Sequence, residues 1–142
     1  MKIREVMTRG VESISEAGTI AEAARKMKEL NVGVLPVFDN NRLVGMLTDR
    51  DIAIRAVAEG HDPKETKVNQ IMTKDVISCT EAEDVSEAIK LMESRQIRRL
   101  IVRDDQNQVV GIVALGDLAV HLNESLVGEA LREVSEPAHP RR

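Results

Sequence analysis

The segment Gly45-Met46-Leu47-Thr48-Asp49-Arg50-Asp51 places a hydroxyl, a guanidinium and two carboxylates where an apolar run gives way to a polar one. If a strand ends and a helix begins there, the first helical N–H groups have no partner within the helix, and a phosphate suits them. Thr48 adds a hydroxyl donor and Arg50 a charge, while Asp51 can accept both hydroxyls of a ribose, as an acidic residue does in dinucleotide sites. Thr48-x-x-Asp51 is equally the spacing of a capping arrangement that needs no ligand. Both readings stand for this segment taken alone. A second segment, Gly111-Ile112-Val113-Ala114-Leu115-Gly116-Asp117, keeps the acid but has Ala114, which cannot cap, in place of the threonine. A Thr–Asp capping pair does not account for Asp117, and a diol contact does.

A second cluster is Arg98-Arg99, just ahead of the apolar run Leu100 to Val102. Two adjacent guanidinium groups suit a phosphate, which arginine meets with a planar fork of donors. The plain alternative is solvated surface charge, and strand alternation sends neighbours to opposite faces, so only one of the pair need point inward. The aliphatic residues Val11, Val34, Leu35, Ile77, Ile97, Leu100 and Ile101 read first as core. With no aromatic platform available, they are also the lining a purine would use, with Ser13 beside Val11 on the same strand face.

Catalysis finds little support. His61, His121 and His139 lie far apart with no partner at ligand spacing, so no metal site is expected. Cys79 sits at a buried strand position, a poor place for a nucleophile. Neither a Walker loop nor Gly-x-Ser-x-Gly occurs. The chain reads as a non-enzyme.

The elements that must position these residues come twice. Val6-Met7-Thr8 returns as Ile71-Met72-Thr73, Glu16-Ala17 as Glu81-Ala82, and Glu22-Ala23 with Met27 as Glu87-Ala88 with Met92. After one inserted residue, Val44-Gly45 returns as Val110-Gly111 and Asp51 as Asp117. Each copy reads strand, helix, strand, turn, strand, helix. In the first, Val11 to Ile14 is a short strand and Thr19 with Glu22 a helix start, followed by an apolar stripe of Ile20, Ala23, Ala24 and Met27. Val34 to Phe38 and Leu43 to Leu47 flank a hairpin turn, and a second helix runs from Asp49 to Ala58, ending near Gly60. In the second, Asp84 and Glu87 form the capping pair ahead of Val85, Ala88, Ile89 and Met92. Leu100 to Arg103 and Val109 to Val113 form its hairpin, and Leu118 to Leu122 its closing helix.

The polar stretch Glu59 to Lys67, with Pro63, reads as a linker. The domain division is then 1–60 for the first repeat, 61–69 for the linker, 70–123 for the second repeat and 124–142 for a C-terminal helix and frayed tail. Leu126, Ala130, Leu131 and Val134 supply the apolar face of that helix. Two similar halves of marginal size bury their apolar faces by pairing, so an α/β (α+β) fold follows, two β-α-β-β-α repeats face to face about a pseudo-twofold axis. Function is then sought in their mutual cleft.

The formal charge of −4 and the absence of a basic tract argue against nucleic-acid binding. One Phe and no Tyr or Trp argue against base stacking. A lone cysteine fits a reducing cytosol, and with no signal peptide or long apolar run the expected location is cytoplasmic, away from membranes.

The whole pattern resembles a tandem cystathionine-β-synthase (CBS) domain pair, or Bateman module. The resemblance rests on Val6-Met7-Thr8 and Ile71-Met72-Thr73, Val32 to Val37, Ile97 to Val102 and the Gly-x-x-Thr-x-x-Asp end of the first repeat, and spans residues 1 to 123. It implies a free-standing regulatory sensor that binds an adenosine-containing ligand: AMP, ADP, ATP, S-adenosylmethionine, NAD or a cyclic dinucleotide. Such a ligand is regulatory, and no obligatory cofactor is implied. It also implies that Asp51 and Asp117 hold ribose, that Thr48 contacts ribose or phosphate, and that Arg98 and Arg99 meet phosphate. Ala114 and Gly33 depart from the pattern, so two unequal pockets are expected. A disk-like homodimer is implied too, formed through the helices after Thr48 and Ala114, with an effector protein as a further partner. Two alternatives stand beside this: a structural or protein-interaction adaptor with vestigial pockets, and a protein that hydrolyses nucleotides or acts on nucleic acid.

Overall fold

In a computed structural model, which describes residues 1–121, 128 and 131–135, each copy builds a parallel strand pair around one amphipathic helix. In the first copy β2 (Ile14–Ser15) leads through α1 (Ile20–Leu30) to β3 (Val34–Asp39), and β2 and β3 pair in parallel. In the second, β5 (Ser78–Thr80) leads through α4 (Val85–Arg95) to β6 (Arg99–Arg103), again parallel. Each crossover is followed by an antiparallel hairpin partner, β4 (Arg42–Thr48) or β7 (Val109–Ala114). Both sheets are therefore mixed. The first hairpin turns through Asn40, whose left-handed φ of 55° an asparagine tolerates.

Helix α1 starts as expected: the Glu22 N–H donates to Thr19 Oγ1 at 3.2 Å. Ile20, Ala23 and Met27 are buried, but Ala24 is exposed, so the stripe is narrower than predicted. Val85, Ala88, Ile89 and Met92 are all buried in α4. There Asp84 caps by accepting from the Ser86 N–H at 3.0 Å, rather than by pairing with Glu87. That bond, with the N-terminal ammonium 3.3 Å away, holds the Asp84 carboxyl down to about 2. The first strand is shorter and later than Val11–Ile14, because Val11 to Ser13 make no ladder and only Ile14 and Ser15 pair with Val37 and Phe38.

The chain divides in space into a central unit, Glu12–Val76, and a terminal unit, Met1–Val11 with Ile77–Arg142. Each sequence copy thus sends its opening segment to the other unit. In the terminal unit β1 (Thr8–Arg9) pairs antiparallel with β7, giving the order β1-β7-β6-β5. In the central unit Thr73 forms the matching bridge to Met46, beside the sheet β2-β3-β4. The Val85 N–H donates to Met1 O and the Ile20 N–H to Thr66 O, both at 3.0 Å, so each opening segment satisfies the first turn of a helix. Thr66 is only 6% exposed and Val68–Ile71 forms helix α3, so the predicted linker includes chain that caps and packs.

Each unit has its own core. Ile20, Leu35, Val37, Leu47, Val68 and Ile71 belong to the central one, and Ile3, Ile89, Met92, Leu100, Val113 and Leu118 to the terminal one. The helix expected from Asp49 to Ala58 is three α residues, α2 (Asp49–Asp51), running into a π-helical turn, Ile52–Val57. Its counterpart is α5 (Leu115–Ala119), which ends before the Leu122 predicted to close it. Leu122, Leu126, Ala130 and residues 136–142 lie outside the described residues. Val134 is fully buried and Leu131 exposed. No helix among the described residues is long and apolar enough to cross a membrane.

Candidate functional site

Each unit makes one corner where the second hairpin strand turns into a short helix. In the central unit, Val34 of β3 pairs with Thr48, and the Asp49 N–H donates to Gly33 O at 2.9 Å. In the terminal unit, Arg99 pairs with Ala114, and the Leu115 N–H donates to Arg98 O at 2.9 Å. The structure therefore brings Arg98, Arg99 and Asp117 to one corner, and Val34, Thr48, Arg50 and Asp51 to the other.

The central corner is internally satisfied. The Asp51 N–H donates to Thr48 Oγ1 and the Thr48 N–H to Asp51 Oδ2, both at 3.0 Å, a reciprocal capping box. The Asp51 carboxylate also lies 3.5 Å from Thr73 Oγ1 and 3.8 Å from Arg55 Nε. Asp51 is only 6% exposed, and a carboxylate removed from water to that degree needs such partners. Arg50 is exposed.

The terminal corner is more open. The Ala114 N–H donates to Asp117 Oδ2 at 2.9 Å. This corrects the inference that capping does not account for Asp117: the carboxylate half of a capping box needs only the backbone N–H, which alanine supplies as well as threonine. The other Asp117 oxygen has no hydrogen-bond partner among the described residues, and the side chain is half-buried. Both guanidinium groups are exposed, and Arg98 donates to Ser135 Oγ at 2.9 Å.

The lining residues divide. Leu35 and Leu100 have no exposed surface and belong to their units' cores, so they present nothing for a ligand to touch, and the same burial holds Ile101. Val34 is 5% exposed; Val11, Ile77 and Ile97 are half-buried, the last two packed against the terminal core. Ser13 is half-buried, and its carbonyl accepts from Lys26 Nζ at 2.6 Å. Burial, reinforced by Glu83, pushes the Cys79 thiol up to about 12, which removes it as a nucleophile at neutral pH. Among the described residues no three His, Cys, Asp or Glu side chains gather to hold a metal.

Sequence reasoning missed Arg55 and Thr73 at the central corner. Arg55 stands four residues after Asp51, a signal that was available; Thr73 comes from the opening segment of the other copy and gave none.

The CBS domain model matches residues 3–57 and again 68–124. The CBS domain-containing protein YhcV of Bacillus subtilis is 45% identical over 134 residues, 94% of either chain. A CBS domain protein of Thermoplasma acidophilum superposes with a TM-score of 0.85 at 27% identity, over 94% of this chain and 75% of that one. The CBS domain pair of protein MJ0100, solved in complex with 5′-methylthioadenosine and S-adenosyl-L-methionine, gives a TM-score of 0.76 at 30% identity, over 84% of this chain and 94% of that one. The two matched stretches are the two copies of the duplication, and the chain belongs to the CBS domain family as a tandem pair.

Proposed function

We propose that this CBS pair senses an adenosine-containing ligand, with Asp117 as acceptor for the ribose diol and Arg98 and Arg99 as partners for any phosphate. CBS pairs are regulatory modules, and the pair of MJ0100 was solved with two adenosine compounds. The observation that carries the reading is the terminal corner, where a carboxylate with a spare oxygen and two exposed guanidinium groups share one strand end. Thr48, Arg50 and Asp51 form a second, unequal site in the central unit. The ligand acts by binding one conformational or oligomeric state better than another, since equal affinity shifts nothing. The module works in the cytosol, as a homodimer that passes the state to an effector protein.

Calorimetric titration with adenosine, AMP, ATP, S-adenosylmethionine and NADH tests this. At least one compound should give heat and raise the melting temperature by mass action. Asp117→Asn should weaken that compound by roughly 10- to 100-fold, the worth of a hydrogen bond to a charged group. Replacing both arginines by alanine should weaken AMP more than adenosine. Silence with all five would favour the adaptor reading, as would partners and assembly unchanged in an Asp51→Ala/Asp117→Ala variant.

A further inference from the structure

We propose that Arg55 decides which corner takes the ligand, because it occupies the Asp51 carboxylate from within the chain. This rests on the reading that the corner aspartates accept the ligand's diol. The π turn Ile52–Val57 carries Arg55 back over the start of its own helix, with i→i+5 bonds such as Ala58 N–H to Ala53 O at 2.9 Å. From there its Nε lies 3.8 Å from Asp51 Oδ1, and Nη1 lies 3.4 Å from the carbonyl oxygens of both Ile71 and Met72. Thr73 Oγ1 approaches both oxygens of the same carboxylate. One guanidinium thus ties the aspartate to the opening segment of the second repeat, and a diol entering there must displace it.

Among the described residues the other corner has no such tie. The residue four positions after Asp117 is His121, exposed, with no bond to Asp117 among the described residues. A planar, always-charged fork stands in one corner and an imidazole in the other. The same aspartate is therefore latched in the central unit and open in the terminal one. The duplication keeps both acids, and the residue one turn on sets their availability.

Adenosine titration of six proteins tests the latch: the wild type, Asp51→Asn, Asp117→Asn, Arg55→Met, Arg55→Gln and Arg55→Met/Asp51→Asn. Arg55→Gln keeps a donor for the two carbonyls, which guards against loss of fold. The wild type should bind one equivalent, lost in Asp117→Asn. Arg55→Met and Arg55→Gln should gain a second equivalent, or at least tenfold affinity at a second site, and Asp51→Asn should erase that gain. One equivalent in every folded Arg55 variant overturns the latch while leaving the Asp117 reading intact. Two equivalents in the wild type, one of them lost in Asp51→Asn, overturn it as well. Binding that appears only once Arg55 is replaced supports the latch and defeats the Asp117 reading; no adenosine binding in any of the proteins overturns the latch and both aspartates as acceptors for the adenosine diol.

Discussion

Asp51 and Asp117 show how far one side chain's energetics depend on what lies within a few ångströms. Both carboxylates accept the N–H at the end of the preceding strand, at 3.0 and 2.9 Å. Of the two, Asp51 alone is buried, and among the described residues it alone holds an arginine and a threonine as well. Removing it strands the Thr48 N–H and leaves Arg55 without its counter-charge. Asp51→Ala should cost about 2–3 kcal/mol, the upper range for a buried hydrogen bond to a charged group. Asp117→Ala should cost about 1 kcal/mol, the typical loss of a helix cap. Urea unfolding of both variants without ligand measures the difference. Equal costs would mean that Arg55 and Thr73 add nothing to the central corner. The acid at each position was legible in the sequence, and so was the capping alternative for Asp51; for Asp117 that alternative was set aside because Ala114 has no hydroxyl, although the backbone N–H suffices. The asymmetry was not, because Thr73 reaches Asp51 from a segment 22 residues away along the chain.

The elements explain why Val-Gly and Met-Thr recur together. A Cβ built on Gly111 would lie 2.5 Å from Thr8 O, and one on Gly45 2.8 Å from both Thr73 O and Met72 Sδ. Each glycine lets the opening segment of the other copy cross its strand, so the Met-Thr pair and the glycine belong to one contact. Gly33 is different: the nearest atoms to its Cβ would be those of the Asp49 carboxylate, at 2.9 Å, the end of an exposed side chain whose hydrogen bond is to the neighbouring Arg50 N–H, so it can shift. Gly45→Ala and Gly111→Ala should therefore each cost about 1–3 kcal/mol, the usual range for overpacking against a fixed neighbour. Gly33→Ala should cost under about 1 kcal/mol by the same reasoning, since the obstruction moves. Thermal melts of the three variants settle the ranking, and a Gly33→Ala loss equal to the others would refute it. The strand–helix–strand order of each copy could be read from period and caps. Which copy each opening segment docks on could not: a pattern repeated at constant offset is the same whether a segment folds onto its own copy or the other. The choice is made by pairings such as Thr8 with Ile112, a long-range contact that local propensity does not encode.

At the scale of the whole molecule, the two units leave matching apolar side chains uncovered. Ile54 on the π turn is 50% exposed, and Val120, its counterpart after α5, is 78% exposed; Val57 beside Ile54 is 62% exposed. Single exposed apolar residues are ordinary, but the same position left bare in both copies implies a surface repeated with the duplication. A second copy of the chain supplies such a surface in duplicate, and a twofold contact buries each residue twice. Burying one aliphatic side chain contributes roughly 1.5–3 kcal/mol, so two of them lost from each partner should weaken self-association by at least about a hundredfold, even after the ordering cost of binding. Ile54→Asp/Val120→Asp should then sediment as a monomer at concentrations where the wild type sediments as a dimer, with the melting temperature of each isolated chain little changed because both positions are already in water. A wild type that is monomeric throughout would remove the dimer and with it the oligomeric arm of the proposed switch. If the dimer is present and the doubly substituted monomer still binds adenosine with full affinity, the corners and the association surface are independent. If its affinity falls together with its association, the ligand and the second copy act on one equilibrium, and by reciprocity adenosine must tighten the dimer by the same factor.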